Sequence, residues 1–263
     1  MGDGVKKPVF VLMVGLFLPL FVFGEETILR DNFDDPELSL NLWLLTEDDG
    51  GSITFRDGYA FLNITNQTQA GKATDIGIRA TPGNLPFRHV IIETRLRCSD
   101  DNKLESDIGG GWRFWGFWDF PGQSSLQFHS ASPESGKNSG FHVISGVGGT
   151  IKFWENVTGI DMTEWHTYTI IWEPGNATYL VDGDAVANTD KVYGYNMDVV
   201  IANTNVVLES PLWYNVEDRI HVPYNTFIQI DYVHIFTIPE SFFLAIFGLI
   251  MLFGKQYANF HKI

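Results

Sequence analysis

The chain has 263 residues, a formal net charge of −15 and an apolar fraction of 44%. A chain of this size and apolar content can bury one sizeable core, so we expect one folded domain. The acidic charge argues against a nucleic-acid partner, because phosphates attract basic surfaces. An internal disulfide is excluded, since Cys98 is the only cysteine.

Residues 1–24 are typical of a secretory signal peptide. Lys6 and Lys7 precede an apolar run from Val9 to Phe23, and Gly24 closes the segment. The run is shorter than the roughly 20 residues of a membrane-spanning helix. We therefore predict cleavage after residue 24, with an uncleaved anchor as the alternative.

Between the two ends, residues 25–238 form short runs of alternating apolar and polar residues. The runs are separated by Gly, Asn, Asp and Pro, with turn signals in "RDGY", "EPGNAT" and "VDGDAV". No segment keeps a 3.6-residue apolar period over three turns, so the pattern predicts an all-β sandwich or barrel. Four sequons, at Asn63, Asn66, Asn156 and Asn176, are compatible with a glycoprotein.

Residues 239–263 predict a membrane anchor or a sorting tail. A Pro-Glu pair stands before an apolar stretch from Phe242 to Phe253, and basic residues follow it. The stretch is apolar on every helical face, as in a membrane helix. Its layout resembles prokaryotic exosortase and archaeosortase tails; a plain short anchor and a glycolipid-anchor signal are the alternatives. We expect a secreted domain, anchored at the outer face of the cell membrane or at the cell surface.

Two stretches indicate a particular fold. In "EWHTYTIIWEPGNATYLVDGDAVANT", Trp172 ends one run and Tyr-x-Val-Asp-Gly follows at 179–183, while "FIQIDYVHIF" contains Asp-Tyr-Val at 231–233. Together with the opening "DNFDDPELSLNLWLL", they resemble the concanavalin A-like jelly rolls of glycoside hydrolase family 16, the laminarinase and lichenase group. The resemblance implies a jelly-roll β-sandwich of two antiparallel sheets, one of them bent into a groove that holds polysaccharide.

The catalytic acids of that family are missing at the matching strand. Family 16 places Glu-x-Asp-x-Glu on a groove strand, and retaining glycosidases need two carboxyl groups about 5–5.5 Å apart. Here the strand after the tryptophan-rich segment reads "SSLQFHS". Because side chains alternate between faces, we expect Ser125, Gln127 and His129 to face the groove, and Leu126 and Phe128 to face the core. The resemblance therefore implies the fold without the family mechanism.

The stretch "WRFWGFWDF" predicts a sugar platform next to that strand. Its residues divide between two faces, one wholly aromatic and one mixed. We expect the mixed face, with Trp115 between Arg113 and Asp119, to contact sugar through the aromatic ring. Trp112 and Trp118 are then expected in the core. Trp165 and Trp172, elsewhere in the chain, are expected to be structural.

Glu93 and Arg95 match the family strand that directs a Glu and an Arg toward the sugar, with Arg97 beyond them. The resemblance implies that this pair faces the groove. A surface ion pair, worth about 0.2–1 kcal/mol, is the alternative.

Asp231 and Gly58 match two positions at which many relatives bind Ca²⁺. Two ligands do not complete a site of six to eight oxygens, so Ca²⁺ is a minor hypothesis. No histidine of the chain has HExxH spacing.

Three functions follow as expectations. The first is a membrane-tethered, lectin-like domain that binds polysaccharide or glycan and has lost family 16 catalysis. The second is an active hydrolase or transglycosylase with relocated acids. The third is a structural cell-envelope protein. The candidates for relocated acids are Glu105, Asp107, Asp119, Glu134 and Glu155.

Overall fold

The structure is a computed structural model, and Thr27–Thr237 form one compact unit in it. The predicted signal peptide and the predicted tail lie outside the described residues, and both stay predictions. No helix in the described part of the chain is long and apolar enough to cross a membrane. The described residues are 26–47, 50–65, 75–80, 90–100, 112–119, 124–131, 140–148, 150–192, 197–204, 206–208, 219–221 and 225–237.

Two antiparallel sheets make up the fold. In sheet A the spatial order is β13 (Asp184–Thr189), β12 (Asn176–Val181), β11 (His166–Glu173), β6 (Val90–Cys98), β17 (Thr226–Thr237), β4 (Tyr59–Ile64) and β3 (Gly51–Arg56), and β1 (Glu26–Asp31) also pairs with β17. In sheet B it is β10 (Thr150–Asn156), β9 (Gly140–Val147), β8 (Ser124–Ala131), β7 (Trp112–Asp119), β14 (Asp198–Thr204), β5 (Asp75–Ala80) and β2 (Leu44–Glu47). A separate pair joins β15 (Val206–Leu208) to β16 (Arg219–His221). The predicted all-β architecture of two antiparallel sheets is confirmed.

Asp-Gly turns close two hairpins of sheet A. Asp57 and Gly58 join β3 to β4 with φ values of 55° and 73°, and Asp182 and Gly183 join β12 to β13 with 52° and 87°. Positive φ at both central residues defines the type I′ turn, whose twist matches that of paired strands. Local sequence therefore specifies which of these strands are neighbours.

The core lies between the two sheets and is rich in aromatic rings. Trp115 stacks on Phe128 and Phe141 at centroid distances of 6.0 and 5.8 Å, and Tyr168 meets Trp115 edge-on at 4.9 Å. Such pairs contribute about 0.5–1.5 kcal/mol each beyond the burial of their area. Trp115, Phe128 and Phe141 come from sheet B and Tyr168 from sheet A, so the cluster joins the layers.

One short helix, α1 (Pro36–Leu42), interrupts the all-β pattern. Asp35 caps it, because its Oδ1 accepts from the backbone N–H of two first-turn residues at 3.1 Å. Asp31, which is buried, accepts from Ser39 Oγ at 3.1 Å and Trp43 Nε1 at 2.8 Å, which ties the middle and the C-terminal end of the helix to β1. With seven residues, α1 is shorter than the three turns by which a helix would have been recognised in the sequence.

A polar network links the two sheets at one end of the sandwich. Arg113 of β7 is fully buried, pairs with the carboxylate of Asp100 and donates from Nη2 to Thr226 Oγ1 at 2.6 Å. Asn203 of β14 donates from Nδ2 to the carbonyls of Leu62 and Thr226 at 3.2 and 3.3 Å. Burial by itself lowers the pKa of Arg113. The charges and hydrogen bonds of neighbouring groups, Asp100 foremost, together outweigh burial, so the pKa of Arg113 is raised.

Candidate functional site

Strand β8 crosses the middle of sheet B and divides its side chains as the alternation predicts. Leu126 and Phe128 are fully buried members of the core cluster. Ser125, Gln127 and His129 point to the opposite surface, which we call the outer face of sheet B. Their relative exposures are 7%, 0% and 4%, so the polar side chains form a buried floor.

The register of the neighbouring strands assigns further residues to this face. Gln127 stands opposite Gly116 of β7 and Ile144 of β9. Residues directly opposite each other in an antiparallel pair share a face of the sheet. Ile144 is accordingly buried but outside the core cluster between the sheets. By register the outer face also includes Phe114, Trp118, His142, Gly146, Trp154, Asn156, Asp198 and Val200.

Gln127 is the central polar group of the floor. Neither Oε1 nor Nε2 of its amide has a hydrogen-bond partner among the described residues, and the side chain has no exposed surface. A buried polar group without a partner costs about 1–3 kcal/mol. Because an amide offers both a donor and an acceptor, Gln127 can bind a hydroxyl group in either sense.

Beside Gln127, two histidines and a tryptophan form a ring cluster. The ring centroids of His129 and His142 are 5.9 Å apart, and Trp154 lies 5.6 and 4.4 Å from them. Asn156 Oδ1 is 2.7 Å from His142 Nδ1 and accepts from Trp154 Nε1 at 3.2 Å. Burial lowers the pKa of His129 well below its usual range, and His142 adds to the effect. His129 is therefore a neutral imidazole at pH 7.

The described carboxylates do not form a catalytic pair on this face. Asp198, opposite Trp118, is held by Arg79 through Nε at 2.6 Å and Nη2 at 2.5 Å. By register Asp75 stands opposite Thr204, six residues along β14 from Asp198, which is about 20 Å. Glycosidases need carboxyl groups about 5–9.5 Å apart.

Of the candidates for relocated acids, Asp119 and Glu155 lie within the described residues. Asp119 is on β7 and Glu155 on β10, three strands away, so at least about 14 Å separates their backbones. That spacing is too wide for a catalytic pair. The candidates outside the described residues are Glu105, Asp107 and Glu134.

The predicted platform residues lie on the wrong face for that role. Trp115 is 1% exposed and opposite Phe128, inside the core, and Arg113 is buried against Asp100. Trp118, expected in the core, is half-buried on the outer face. The division of "WRFWGFWDF" into two faces was right, but the inward and outward faces were exchanged. Only the pairing of β7 with β8 decides which face is which.

Glu93 and Arg95 do not face this floor, contrary to the prediction from the family strand. They stand on β6 and point outward from sheet A, the sheet on the other side of the core. Glu93 Oε1 accepts from Tyr232 Oη at 2.8 Å, and Arg95 pairs with the carboxylate of Asp231. Alternation assigned the face correctly relative to the core, but it contains no information about which sheet a strand joins.

The two residues predicted to bind Ca²⁺ do not by themselves supply a complete calcium site. Asp231 is already engaged by Arg95, and Gly58 supplies one backbone carbonyl in the β3–β4 turn. Within the described residues, no group of three or more His, Cys, Asp or Glu side chains could hold a metal ion. Six to eight oxygens are needed. Ca²⁺ binding stays an untested prediction.

Several outer-face residues were missed by the sequence analysis. His142 and Trp154 follow β8 on the next two strands, and Arg79 and Asp198 come from distant strands. Alternation along "GFHVIS" would have placed His142 on the outer face if β8 and β9 had been taken as neighbours. His142 stands opposite His129. Nothing local indicates the pairing of Arg79 with Asp198.

Comparisons with known proteins agree with this fold. The model for glycosyl hydrolases family 16 matches residues 119–217, fewer than half of the chain. No curated protein matches. Together with the two sheets, the match defines the class: a jelly roll resembling family 16, as inferred from the sequence.

Among solved structures, three similar ones are glucanases. The β-glucanase of Bacillus licheniformis shares 14% identity and a TM-score of 0.57, with 83% of this chain and 100% of that chain covered. The catalytic domain of an endo-1,3-β-glucanase (laminarinase) from Thermotoga petrophila RKU-1 shares 12% identity with a TM-score of 0.56, and 81% of this chain and 98% of that chain are covered. A laminarinase from Flavobacterium sp. UMI-01 shares 15% identity with a TM-score of 0.54, and 81% of this chain and 100% of that chain are covered. At these identities the likeness concerns the fold.

Proposed function

We propose that this protein is an exported, surface-tethered, lectin-like glycan-binding protein that uses a family 16 jelly roll without its glycosidase chemistry. The observation that carries the proposal is the outer face of β8, where Ser125, Gln127 and His129 stand at the three alternating positions. The resemblance to family 16 implies carboxylic acids at these three positions. The glucanase and laminarinase descriptions of the similar structures support a carbohydrate ligand.

The floor lacks the groups that a glycosidase needs. A retaining enzyme forms a glycosyl ester on one carboxylate and takes the proton from another, whereas an inverting enzyme activates water with a carboxylate. Neither the Gln127 amide nor the Ser125 hydroxyl is a carboxylic acid, and His129 is neutral. Asp198, which lies two strands from Ser125 in the same row of the sheet, forms an ion pair with Arg79.

Glycan contact is better supported at the sides of the floor than at its centre. Gln127 is fully buried, whereas Trp118 on β7 and Trp154 on β10 are half-buried on either side of β8. Aromatic rings pack against the apolar C–H faces of sugars. A bound chain would lie across these two rings, with the polar floor beneath.

The proposal is tested by affinity electrophoresis of the full-length protein in gels that contain β-glucan, galactan or mannan. We expect retardation in one of these polymers without clearing when the gel is stained for polysaccharide. Trp154→Ala should weaken the binding about tenfold, which corresponds to about 1.4 kcal/mol. Lys152→Ala, an exposed change on the same strand, is the matched control.

Other results favour the alternatives. Clearing that is abolished by replacing Glu105, Asp107 or Glu134 would establish a hydrolase with relocated acids. A protein that is neither retarded nor able to clear any polymer would favour a structural cell-envelope role.

A further inference from the structure

The outer surface of sheet A bears a second ring cluster, on the far side of the core from β8. We call Arg56, Tyr59, Phe61, Arg95, Arg97 and Trp165 the cation–aromatic patch. Tyr59 stacks on Trp165 at 5.5 Å with 27° between the planes, and Phe61 meets Tyr59 edge-on at 6.1 Å. All three rings are half-buried, so part of each remains open to solvent.

Arginine guanidinium groups lie over two of the three rings of the patch, those of Phe61 and Trp165. Cζ of Arg95 lies 5.0 Å from the Trp165 centroid and Cζ of Arg97 lies 5.1 Å from it, while Arg56 lies 4.9 Å from the Phe61 centroid. These distances are within the range of cation–π attraction. The stacking holds planar donors next to flat apolar surfaces.

Two of these cations have no carboxylate partner in the part of the chain that the structure describes. Arg95 pairs with Asp231, but Arg97 donates from Nε to the neutral amide of Gln229 at 2.9 Å. Among the described residues, no carboxylate lies within ion-pair distance of Arg97 or Arg56. In a chain with a net charge of −15, two uncompensated cations on one face are an unusual local feature.

The backbone of sheet A spaces these groups rigidly. The register places Thr54, Phe61, Gln229 and Arg97 opposite one another on β3, β4, β17 and β6. At about 4.8 Å per strand, this row spans about 14 Å. Such a row offers several fixed contacts to an extended ligand, because each side chain stands on a paired strand.

We propose that the cation–aromatic patch binds a glycan that carries carboxylate or sulfate groups. The exposed ring surfaces fit the C–H faces of the sugar units. The guanidinium groups of Arg56 and Arg97 fit planar or tetrahedral oxyanions, which they can bind through two parallel hydrogen bonds. Since the patch and the floor of β8 lie on opposite sheets, this proposal does not depend on the proposed function.

The test uses the full-length protein with polygalacturonate, dextran sulfate and uncharged dextran, with binding measured by calorimetry at several salt concentrations. We expect binding of at least one acidic polymer and none of the uncharged dextran. Arg56→Gln with Arg97→Gln should weaken that binding at least tenfold and flatten its salt dependence. Lys152→Gln, an exposed cation on sheet B, should change it less than twofold.

Two further variants separate recognition from a purely structural role of the stacked arginines. Arg97→Lys keeps the charge but loses the planar donor, so it should retain the salt dependence with a severalfold lower affinity. Thr150→Ala, an exposed change on the other sheet, should leave binding of acidic polymer unchanged. Thermal melts of all variants establish that they are folded.

The proposal is overturned if no acidic polymer binds, or if the double variant and the Lys152 variant weaken binding equally. Stronger binding to phosphatidylglycerol vesicles than to either acidic polymer would also overturn it, in favour of a lipid surface.

Discussion

Single side chains in this protein are held in surroundings that change their chemistry. The Gln127 amide is buried without a hydrogen-bond partner among the described residues, His129 is buried as a neutral base, and Cys98 is buried beside the Arg113 cation. The states of His129 and Cys98 follow from burial, since a low-dielectric environment disfavours the charged form of each. Both can be measured directly.

The buried His129 predicts a pH dependence of stability. Its pKa is well below 6.5 in the fold, so below about pH 6.5 only the unfolded chain takes up this proton. The free energy of unfolding should therefore fall with decreasing pH, by at most about 1.4 kcal/mol per unit from this group. Urea titrations between pH 7.5 and 5 should show that the free energy of unfolding depends less steeply on pH in His129→Gln than in the wild type. The same slope in His129→Gln as in wild type would contradict this, with His234→Gln as the control.

Cys98 should be inert while the protein is folded. Burial raises the pKa of its thiol to about 11, although the charge of Arg113 opposes the rise. At pH 8 we expect iodoacetamide to label native protein at least 100-fold more slowly than protein in urea, because only the thiolate reacts. Since the chain has one cysteine, mass spectrometry reports this site alone. Equal rates in both states would show that the thiol is accessible in the fold.

Individual strands depend on glycine where the sheets approach each other. Gly116 of β7 has φ of +141°, and a Cβ there would lie 2.4 Å from Leu126 O and 2.8 Å from Ile170 Cδ1. Those atoms belong to the neighbouring strand and to the opposite sheet. The close approach explains why the middle of an otherwise aromatic strand contains a residue without a side chain.

Gly116→Ala should therefore destabilise the protein by about 2–4 kcal/mol, through backbone strain and overpacking. Gly159→Ala is the matched change, because φ is +81° there and no atom of the described residues lies within 4 Å of the added carbon. It should cost about 1–2 kcal/mol, from the left-handed backbone alone. Urea unfolding of both variants gives the comparison. Equal losses would mean that the space around Gly116 relaxes without cost.

At the scale of the whole molecule, polar contacts between the layers supplement the apolar core. Arg113 of sheet B pairs with Asp100, two residues after β6, and donates to Thr226 of sheet A, and Tyr179 Oη of sheet A donates to the Ile144 carbonyl of sheet B at 2.9 Å. These bonds tie the two sheets at different points. They orient the layers, whereas ring packing is tolerant of small shifts.

Arg113→Met should lower the free energy of unfolding by about 3–5 kcal/mol, because the largely buried Asp100 carboxylate then lacks the charge of Arg113. Adding Asp100→Asn should recover part of that loss, since no lone charge then remains. Arg79→Met, which breaks the more exposed pair with Asp198, is the comparison and should cost less. A double variant as unstable as Arg113→Met would show that the lost packing of Arg113 is responsible. Urea unfolding of the four proteins measures each value.

Much of the fold could be predicted because it depends on neighbours in the sequence. The Asp-Gly turns at 57–58 and 182–183 close hairpins, and alternation assigns Leu126 and Phe128 to the core. The resemblance to family 16 rests on residues of the β11–β13 segment and of the last strand, β17, together with the opening stretch. The missing acids of β8 were also visible in the sequence alone.

Sequence by itself thus determined many of the strands, several of their turns, the fold class and the polar character of β8. Only the tertiary structure decided that Trp115 is core and Trp118 is outside, and that Arg95 belongs to the other sheet from Gln127. The physical reason is that alternation with a period of two separates the faces of a strand but does not label them. The label depends on the register and the sheet of each strand, which are set by contacts between residues far apart in the chain.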